Sequence, residues 1–333
     1  ENINAKIITI TGSCGKTTLK EMIGETLKNI SKTTYSQKSF NNKYGVPLSL
    51  FNLKQNDHFG VFEVGMDKKG EIDTLTKIIK PDLGIITNIS YAHSKNFKNI
   101  NKIAEAKAEI MNNIKSNGTI VLNMDDVFYS FLKNFALRKK LKVVSFGIQN
   151  KSSMSKLVKI KKIKDKYELF ISIDGLIVSF YSYNCNRSNL YNILATLASI
   201  NLYVDIKKLK KNTFLNFKTP SGRGDISQLK LGNKKIFLID ESYNSNPLSL
   251  KIAIENYHKL KLKNSKKYLI LGDMLELGKN SLKQHKLISK IVNKTNINQV
   301  YVKGNYIKET FKGLNPNKKA KFLSNKFDII DLI

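Results

Sequence analysis

The residues with the clearest chemical purpose lie near the start of the chain. A β-branched run, KIITITG (6–12), leads into Ser13-Cys14-Gly15-Lys16-Thr17-Thr18 and then into a helical pattern. Gly12 and Gly15 let the backbone turn tightly, so that successive N–H groups face one point, and a helix N-terminus adds partial positive charge there. Lys16 is placed to reach the outer phosphates of a nucleoside triphosphate, and the Thr17 hydroxyl to ligate Mg²⁺. The strict pattern G-x-x-x-x-G-K-[ST] is not met, because Ile10 stands where the first Gly would be. The shorter form in this strand–loop–helix context still assigns Gly12, Ser13, Cys14, Gly15, Lys16, Thr17 and Thr18 to a phosphate. The bland alternative is a Gly-rich turn capped by Thr. Cys14 sits where a thiol pKa tends to fall and is read as a loop spacer, not a nucleophile.

The surrounding pattern is one of alternating strands and helices. TTLKEMIGETLKNI (17–30) spaces Leu19, Met22, Ile23 and Leu27 on one helical face, VFEVGM (61–66) and LGIITNI (83–89) are apolar strand candidates, IAEAKAEIMNNI (103–114) is helical and TIVLN (119–123) strand-like. That order argues for an α/β domain with a mostly parallel sheet. From 142 to 184, KVVSFGI, KYELFISIDG and LIVSFYSY read as short strands of a small antiparallel patch, and NLYNILATLASINL (189–202) returns to helix. TPSGRGD (219–225) is the best boundary. Beyond it, strand candidates beginning near 234, 266 and 299 with helical stretches between them suggest a smaller, Rossmann-like α/β domain without a dinucleotide fingerprint. The expected domains are 1–218, with the phosphate loop, and 219–333.

The chain has 333 residues, 41% of them hydrophobic, with 57 Lys and Arg against 26 Asp and Glu, for a net charge of +31. Such a balance raises nucleic-acid binding. The lysines are scattered, however, and no aromatic-interleaved basic stripe stands out, so a generic Lys-rich surface is preferred, with no nucleic-acid partner. No apolar run is long enough to span a membrane, no leader pattern is visible, and Cys14 and Cys185 imply no disulfide framework. A cytoplasmic protein without a membrane partner is the expectation.

The segments TGSCGKTTLKEM (11–22), NNKYGVPLSL (41–50), FEVGMDKKGEI (62–72), TNISYAHSKNF (87–97), IAEAKAEI (103–110), LNMDD (122–126), SGRGD (221–225), IDESYNSNP (239–247) and LGDMLELG…S…H (271–285) occur in that order. The series resembles the Mur ligase family of ATP-dependent amide-bond ligases, in its MurF branch, which adds D-Ala-D-Ala to UDP-N-acetylmuramoyl-tripeptide. SYNSNP and LGDMLELG are the most branch-specific segments and the phosphate loop the least. The resemblance implies ATP and Mg²⁺ at two sites, and phosphorylation of a peptide carboxylate to an acyl phosphate that an incoming amine then attacks. It implies Lys16, His93, Lys107 and Arg223 as catalytic residues and Thr17, Glu63, His93 and Lys107 around the metals, with Lys107 carbamylated. By sequence alone Lys107 is an ordinary helix-surface lysine and His93 a loop histidine. Asn189 and Asn192 match the family's HNxxN helix beside the adenine, with Ser188 in place of His. Arg223 matches an arginine that reaches the phosphates, and Glu241, after Asp240, takes a ribose-contacting place usually held by Asp. Asn41, Asn42, Tyr243, Asn244, Asn246 and Asp273 are candidate substrate contacts, and Ser281 and His285 candidates to help receive the amine. The alternative for Asp240, Ser242 and Asn244 is turn chemistry, and for Asn246 and Pro247 the start of a helix. The active site is expected in the cleft between the domains, in a monomer, with closure bringing Arg223 and Glu241 onto ATP.

The family pattern also includes a preceding UDP-binding domain and, beyond 325–333, a strand with a KGS motif, so both ends are expected to be trimmed and affinity for the UDP-linked substrate to be poor. Two other readings stay open at this stage. One is a Mur-like ligase of another pathway with a different carboxylate substrate. The other is a non-ligase P-loop ATPase that binds nucleic acid.

Overall fold

The computed structural model describes residues 4–92, 94–232, 234–260 and 265–324; His93 and 325–333, both singled out above, lie outside them. The chain divides into two compact units, one of residues 1–90 and 97–218, the other of 91–96 and 219–333.

In the first unit the elements run β1 (Lys6–Thr11), α1 (Lys16–Lys28), β2 (Thr33–Tyr35), α2 (Gly45–Phe51), β3 (Phe59–Glu63), α3 (Glu71–Ile79), β4 (Leu83–Ile86), α4 (Ile100–Ala108), β5 (Thr119–Asn123), α5 (Tyr129–Arg138), β6 (Lys142–Gly147), β7 (Ser155–Ile163), β8 (Lys166–Ile173), β9 (Leu176–Ser182) and α6 (Arg187–Ile200). Among the described residues all nine strands join one sheet in the order β2-β3-β1-β4-β5-β6-β7-β8-β9. The chain leaves β1 toward β3 on one side and returns to β4 on the other. That makes the carboxyl end of β1 a topological switch point, where ligands bind in open α/β sheets. Side chains of β1 alternate across the sheet. Ile8 and Ile10 enter a core with Leu19, Met22, Ile23 and Leu27 of α1 and Ile193, Leu194 and Leu197 of α6. Ile7 enters another core with Ile72, Leu75 and Ile79 of α3 and Ile103 of α4.

The antiparallel patch differs from its sequence reading. The run at 142 is β6 and pairs parallel with β5, while the Lys-rich stretch near 156–166, not recognised as a strand, is β7 and pairs antiparallel with β8. Lys159, Lys161 and Lys162 of β7 are all exposed. A strand with water along much of its length has no need of the apolar alternation that would have announced it.

The second unit contains β10 (Asp225–Leu231), β11 (Lys234–Asp240), α7 (Pro247–Lys259), β12 (Tyr268–Gly272), α8 (Ser281–Asn293), β13 (Gln299–Lys303), α9 (Lys308–Lys312) and β14 (Lys319–Phe322). The run beginning near 234 forms a separate antiparallel hairpin with β10, turning at Gly232 with φ 56°. Only the runs near 266 and 299 share the parallel sheet, in the order β12-β13-β14. Its core gathers Ile254, Leu271, Ile288, Val292, Val300 and Val302, with Tyr91 of the crossing segment packed against it.

One contact on α1 invites a test. A methyl group added to Gly24 would lie 2.5 Å from the Tyr35 ring. Replacing a mid-helix Gly by Ala normally stabilises by about 1 kcal/mol. Here Gly24→Ala is expected to destabilise by about 1–3 kcal/mol through overpacking. Urea unfolding checks this, and a midpoint raised by the substitution would contradict the packing described.

Candidate functional site

The phosphate loop is built by backbone approach. Gly12 adopts φ 145° and Gly15 φ 82°. A Cβ on Gly12 would fall 1.8 Å from the Thr87 hydroxyl, so only glycine passes there. The segment after β4 braces the loop from below. Ser13 N donates to Asn88 O at 2.9 Å, Cys14 N donates to Asn88 Oδ1 at 3.0 Å, the Thr87 hydroxyl donates to Cys14 O at 2.7 Å and Ser90 N donates to Ser13 Oγ at 2.8 Å. The segment is braced in turn by Asn123, whose amide donates to Thr87 O at 3.3 Å, and by Asp126, which accepts from Ile89 N at 2.8 Å. Burial pushes the Asp126 carboxyl up, against the pull of the N–H groups of Phe128 and Ile89. Thr87, Asn88, Ser90, Asn123 and Asp126 all lie in segments quoted above, but carried no assigned role. Their polar type was visible; their convergence on the loop depends on strand order. Lys16 folds back over the loop, with Nζ 3.1 Å from Gly12 O.

Glu63 ends β3 in register with Ile10 of β1. It is 1% exposed. Its Oε2 accepts from the Thr17 hydroxyl at 2.7 Å and its Oε1 from the Asn41 amide at 2.7 Å. The Ser39 hydroxyl lies 3.2 Å from that of Thr17. Among the described residues no cation comes within ion-pair distance of Glu63. A buried carboxylate held by neutral donors only is a costly arrangement, and one that a cation relieves. One carboxylate and one hydroxyl are also a fitting protein share for Mg²⁺, which keeps several waters and takes phosphate oxygens. The described residues hold no cluster of three His, Cys, Asp or Glu side chains that would make a metal cage.

Lys107, on α4, is 1% exposed, not the surface lysine its sequence context suggests. Burial pushes its amine well below the usual lysine range and the Lys16 ammonium adds to the shift, against the opposing pull of Cys14 and Glu63. The same interactions set Lys107 electrostatically among the loop and the Glu63 carboxylate. On α6, the Asn192 side-chain oxygen faces Gly15, 3.5 Å from where a Cβ would stand. Asn189 is occupied locally: its amide donates to Asn184 O at 2.6 Å and to the Ser182 hydroxyl at 3.2 Å. Asn42, on the segment that carries Asn41, accepts from Tyr44 N and Gly45 N and opens α2. Thr18 is buried beneath the loop.

The remaining candidates belong to the second unit. The Arg223 guanidinium stacks 3.9 Å above the centre of the Tyr243 ring. Glu241 is pushed up to about 7 by desolvation of its carboxyl group and by Asp225 and Asp240, with Arg223 opposing. Glu241 is exposed, and its carboxyl end lies against Gly224. Asn244 accepts from Ser245 N. Asn246 caps α7 in a capping box with Ser249, and Pro247 follows it. Asp273 accepts from Asn305 N at 2.8 Å and Ile307 N at 2.7 Å, fixing the turn after β13. His285 is fully buried; its Nε2 accepts from Met274 N and its Nδ1 lies 2.7 Å from Ser281 O.

The Lys107 amine supplies a test by pH. Its folded pKa lies below the unfolded value of 10.5. Between those two values the unfolded chain holds the extra proton, so stability rises with pH across that window. In CO₂-free buffer, Lys107→Met should therefore be stabilising at neutral pH, and its advantage should shrink as pH approaches 10.5. Denaturant midpoints at the two ends of the range measure this; an advantage independent of pH would contradict the assignment.

Against known proteins, the Mur ligase middle domain family matches residues 10–200. The UDP-N-acetylmuramoyl-tripeptide–D-alanyl-D-alanine ligase of Buchnera aphidicola from Acyrthosiphon pisum is 33% identical over 97% of this chain and 71% of its own length. The enzyme of the same name from Rickettsia prowazekii is 32% identical over 99% of this chain and 72% of its own. Among solved structures, MurF from Acinetobacter baumannii superposes with a TM-score of 0.88 at 25% identity, covering 99% of this chain and 70% of that one. The MurF ligase of Thermotoga maritima in complex with ADP shares the fold, with a TM-score of 0.82 at 24% identity over 99% of this chain and 73% of that one. The chain thus spans about seven tenths of the length of these proteins, and it belongs to the Mur ligase family.

Proposed function

We propose that this chain is the ATP-using core of a ligase that joins D-Ala-D-Ala to UDP-N-acetylmuramoyl-tripeptide in peptidoglycan synthesis, releasing ADP and phosphate. The observation that carries the reading is the convergence, at the carboxyl ends of β1 and β3, of the phosphate loop and the Thr17–Glu63 pair. The names of the relatives supply the substrates.

The mechanism follows from charge. With the Ser13 and Cys14 N–H groups given to Asn88, the N–H groups of the first turn of α1 receive the phosphates of ATP, and Lys16 neutralises charge on the outer oxygens. Thr17 and Glu63 would hold Mg²⁺, which draws charge from the phosphates when bound. A carboxylate oxygen of the tripeptide attacks the γ-phosphorus, ADP departs, and an acyl phosphate forms. The D-Ala-D-Ala amine then attacks the acyl carbon, loses a proton, and phosphate leaves. Holding these groups in line is the main contribution of such a site.

Lys107 has a second part in this reading. Lowering the pKa of a buried amine raises its neutral, nucleophilic fraction. Addition of CO₂ to the neutral form, with loss of one proton, would give a carbamate, an anion that would serve a second magnesium with His93. Asn192 lies where it can meet the nucleotide beside Gly15. Arg223, oriented by its stack on Tyr243, would serve the phosphates, and Glu241 the ribose. The protein is proposed to act as a monomer in the cytoplasm. Among the described residues no helix is long and apolar enough to cross a membrane.

Phosphate release from ATP tests the reading, on this chain and on a version extended to the length of its relatives. Release by the extended protein is expected to need the tripeptide substrate, D-Ala-D-Ala and Mg²⁺ together. Lys16→Met should lower kcat by at least about 10²-fold, as loss of a group that stabilises transition-state charge does. Added bicarbonate should raise activity of the unmodified enzyme and not of Lys107→Met. ATP binding without release under these conditions would sink the proposal and direct the search to other carboxylates and amines.

A further inference from the structure

Lys20 is a fully buried charged residue that the proposed mechanism leaves unused. It sits on α1 one turn beyond Thr17 and is 0% exposed. Lysine is almost never fully buried unless it is paired, and here all three donors of the ammonium are met. Nζ donates to Glu21 Oε1 at 2.5 Å, to Lys38 O at 2.9 Å, and to Ser36 O. Two of the three acceptors are therefore backbone carbonyls of one short segment, the turn that follows β2. That turn is strained: Lys38 adopts φ 46°, a left-handed conformation that costs a non-glycine residue about 1–2 kcal/mol.

The segment so held is the one that surrounds Glu63. Ser36 N donates to Val61 O, and the Ser36 hydroxyl accepts from Glu63 N at 3.4 Å. Ser39 reaches the Thr17 hydroxyl, and Asn41 donates to Glu63 Oε1. Gly65 N donates to Asn41 O at 2.8 Å, and a side chain on Gly65 would collide with Asn41. Residues 36–41 thus wrap the carboxylate, and the Lys20 ammonium ties the near end of the wrap to the helix that presents Thr17.

We propose that Lys20 is a positioning residue for the magnesium–nucleotide site: it holds residues 36–41 so that Ser39 and Asn41 orient the Thr17 hydroxyl and the Glu63 carboxylate. The inference rests on the reading of Thr17 and Glu63 as magnesium ligands given above. Partners that orient metal ligands are worth about 10- to 100-fold in metal affinity. A lysine that only supported the fold would affect stability and leave the metal-dependent part of binding alone.

The test is calorimetric titration of the full chain with ADP, with Mg²⁺ and again with EDTA, joined to amide hydrogen exchange. In Lys20→Met the gain in ADP affinity that Mg²⁺ confers should fall by about tenfold, affinity in EDTA should be unchanged, and amides of 36–42 should exchange faster. Glu21→Gln, which weakens the seat of the ammonium without emptying it, should shift both readouts the same way by less, and it stands alone if Lys20→Met does not fold. Glu63→Gln is the reference. If it abolishes the gain while the Lys20 and Glu21 variants keep it in full, this inference is overturned and the metal reading survives. If Glu63→Gln also keeps the gain, the metal reading fails and this inference with it.

Discussion

The first unit is organised around a buried negative charge. Glu63 lies beneath the surface at the end of a central strand, with a hydroxyl and an amide as its hydrogen-bond partners. Neutral donors soften the desolvation of a carboxylate but do not cancel it. A cation beside the Thr17 hydroxyl would offset that cost. Lys107 could have supplied it as a fixed ion pair. Instead its amine is buried and biased toward the neutral form. A permanent Lys107–Glu63 pair would leave little call for a divalent cation; a neutral or acylated amine keeps that call intact.

This charge can be held because the sheet places three strand ends together. β1 carries the loop, β3 carries Glu63, and β4 runs into the Thr87–Ser90 segment that supports the loop. The loop therefore does not hold its shape alone. Its carbonyls and N–H groups are answered by Thr87, Asn88 and Ser90, which answer in turn to Asn123 and Asp126. Such layered bracing fixes the loop's backbone before any phosphate arrives, so that little ordering cost remains at the moment of binding.

The second unit shows the same polar residue types put to a different use. Asp273, Asn246 and His285 each spend their hydrogen-bonding groups on nearby backbone: a turn after β13, the first turn of α7, and the Ser281 and Met274 backbone. The more accessible chemistry of that unit lies with Arg223 and Glu241. The Arg223 plane is set by Tyr243, and the Glu241 carboxyl is crowded by other acids. A stacked guanidinium loses little further freedom on meeting an anion.

The sequence by itself determined the strand–loop–helix of the phosphate site, the alternation that makes a parallel sheet, and the family. All three rest on local spacing or on linear order. Gly12, Gly15, Lys16 and Thr17 sit within one turn of chain, where residue type and neighbour spacing suffice. It also put Glu63 in a strand, within 61–66; the strand that forms, β3, ends on that residue. What it could not reach were contacts made across the sheet. Lys107 read as an ordinary helix lysine and Lys20 drew no reading at all, because burial is a property of the neighbouring layers and not of the helix that carries the residue. β7 was hidden by its lysines, since an exposed strand needs no apolar alternation. Asn189 and Asn192 share a pattern three residues apart, yet one is bound to Asn184 and the other faces Gly15. Tertiary structure decided these cases because hydrogen-bond satisfaction and desolvation depend on which groups the fold brings together, often from positions some seventy residues apart, as for Thr87 and Cys14.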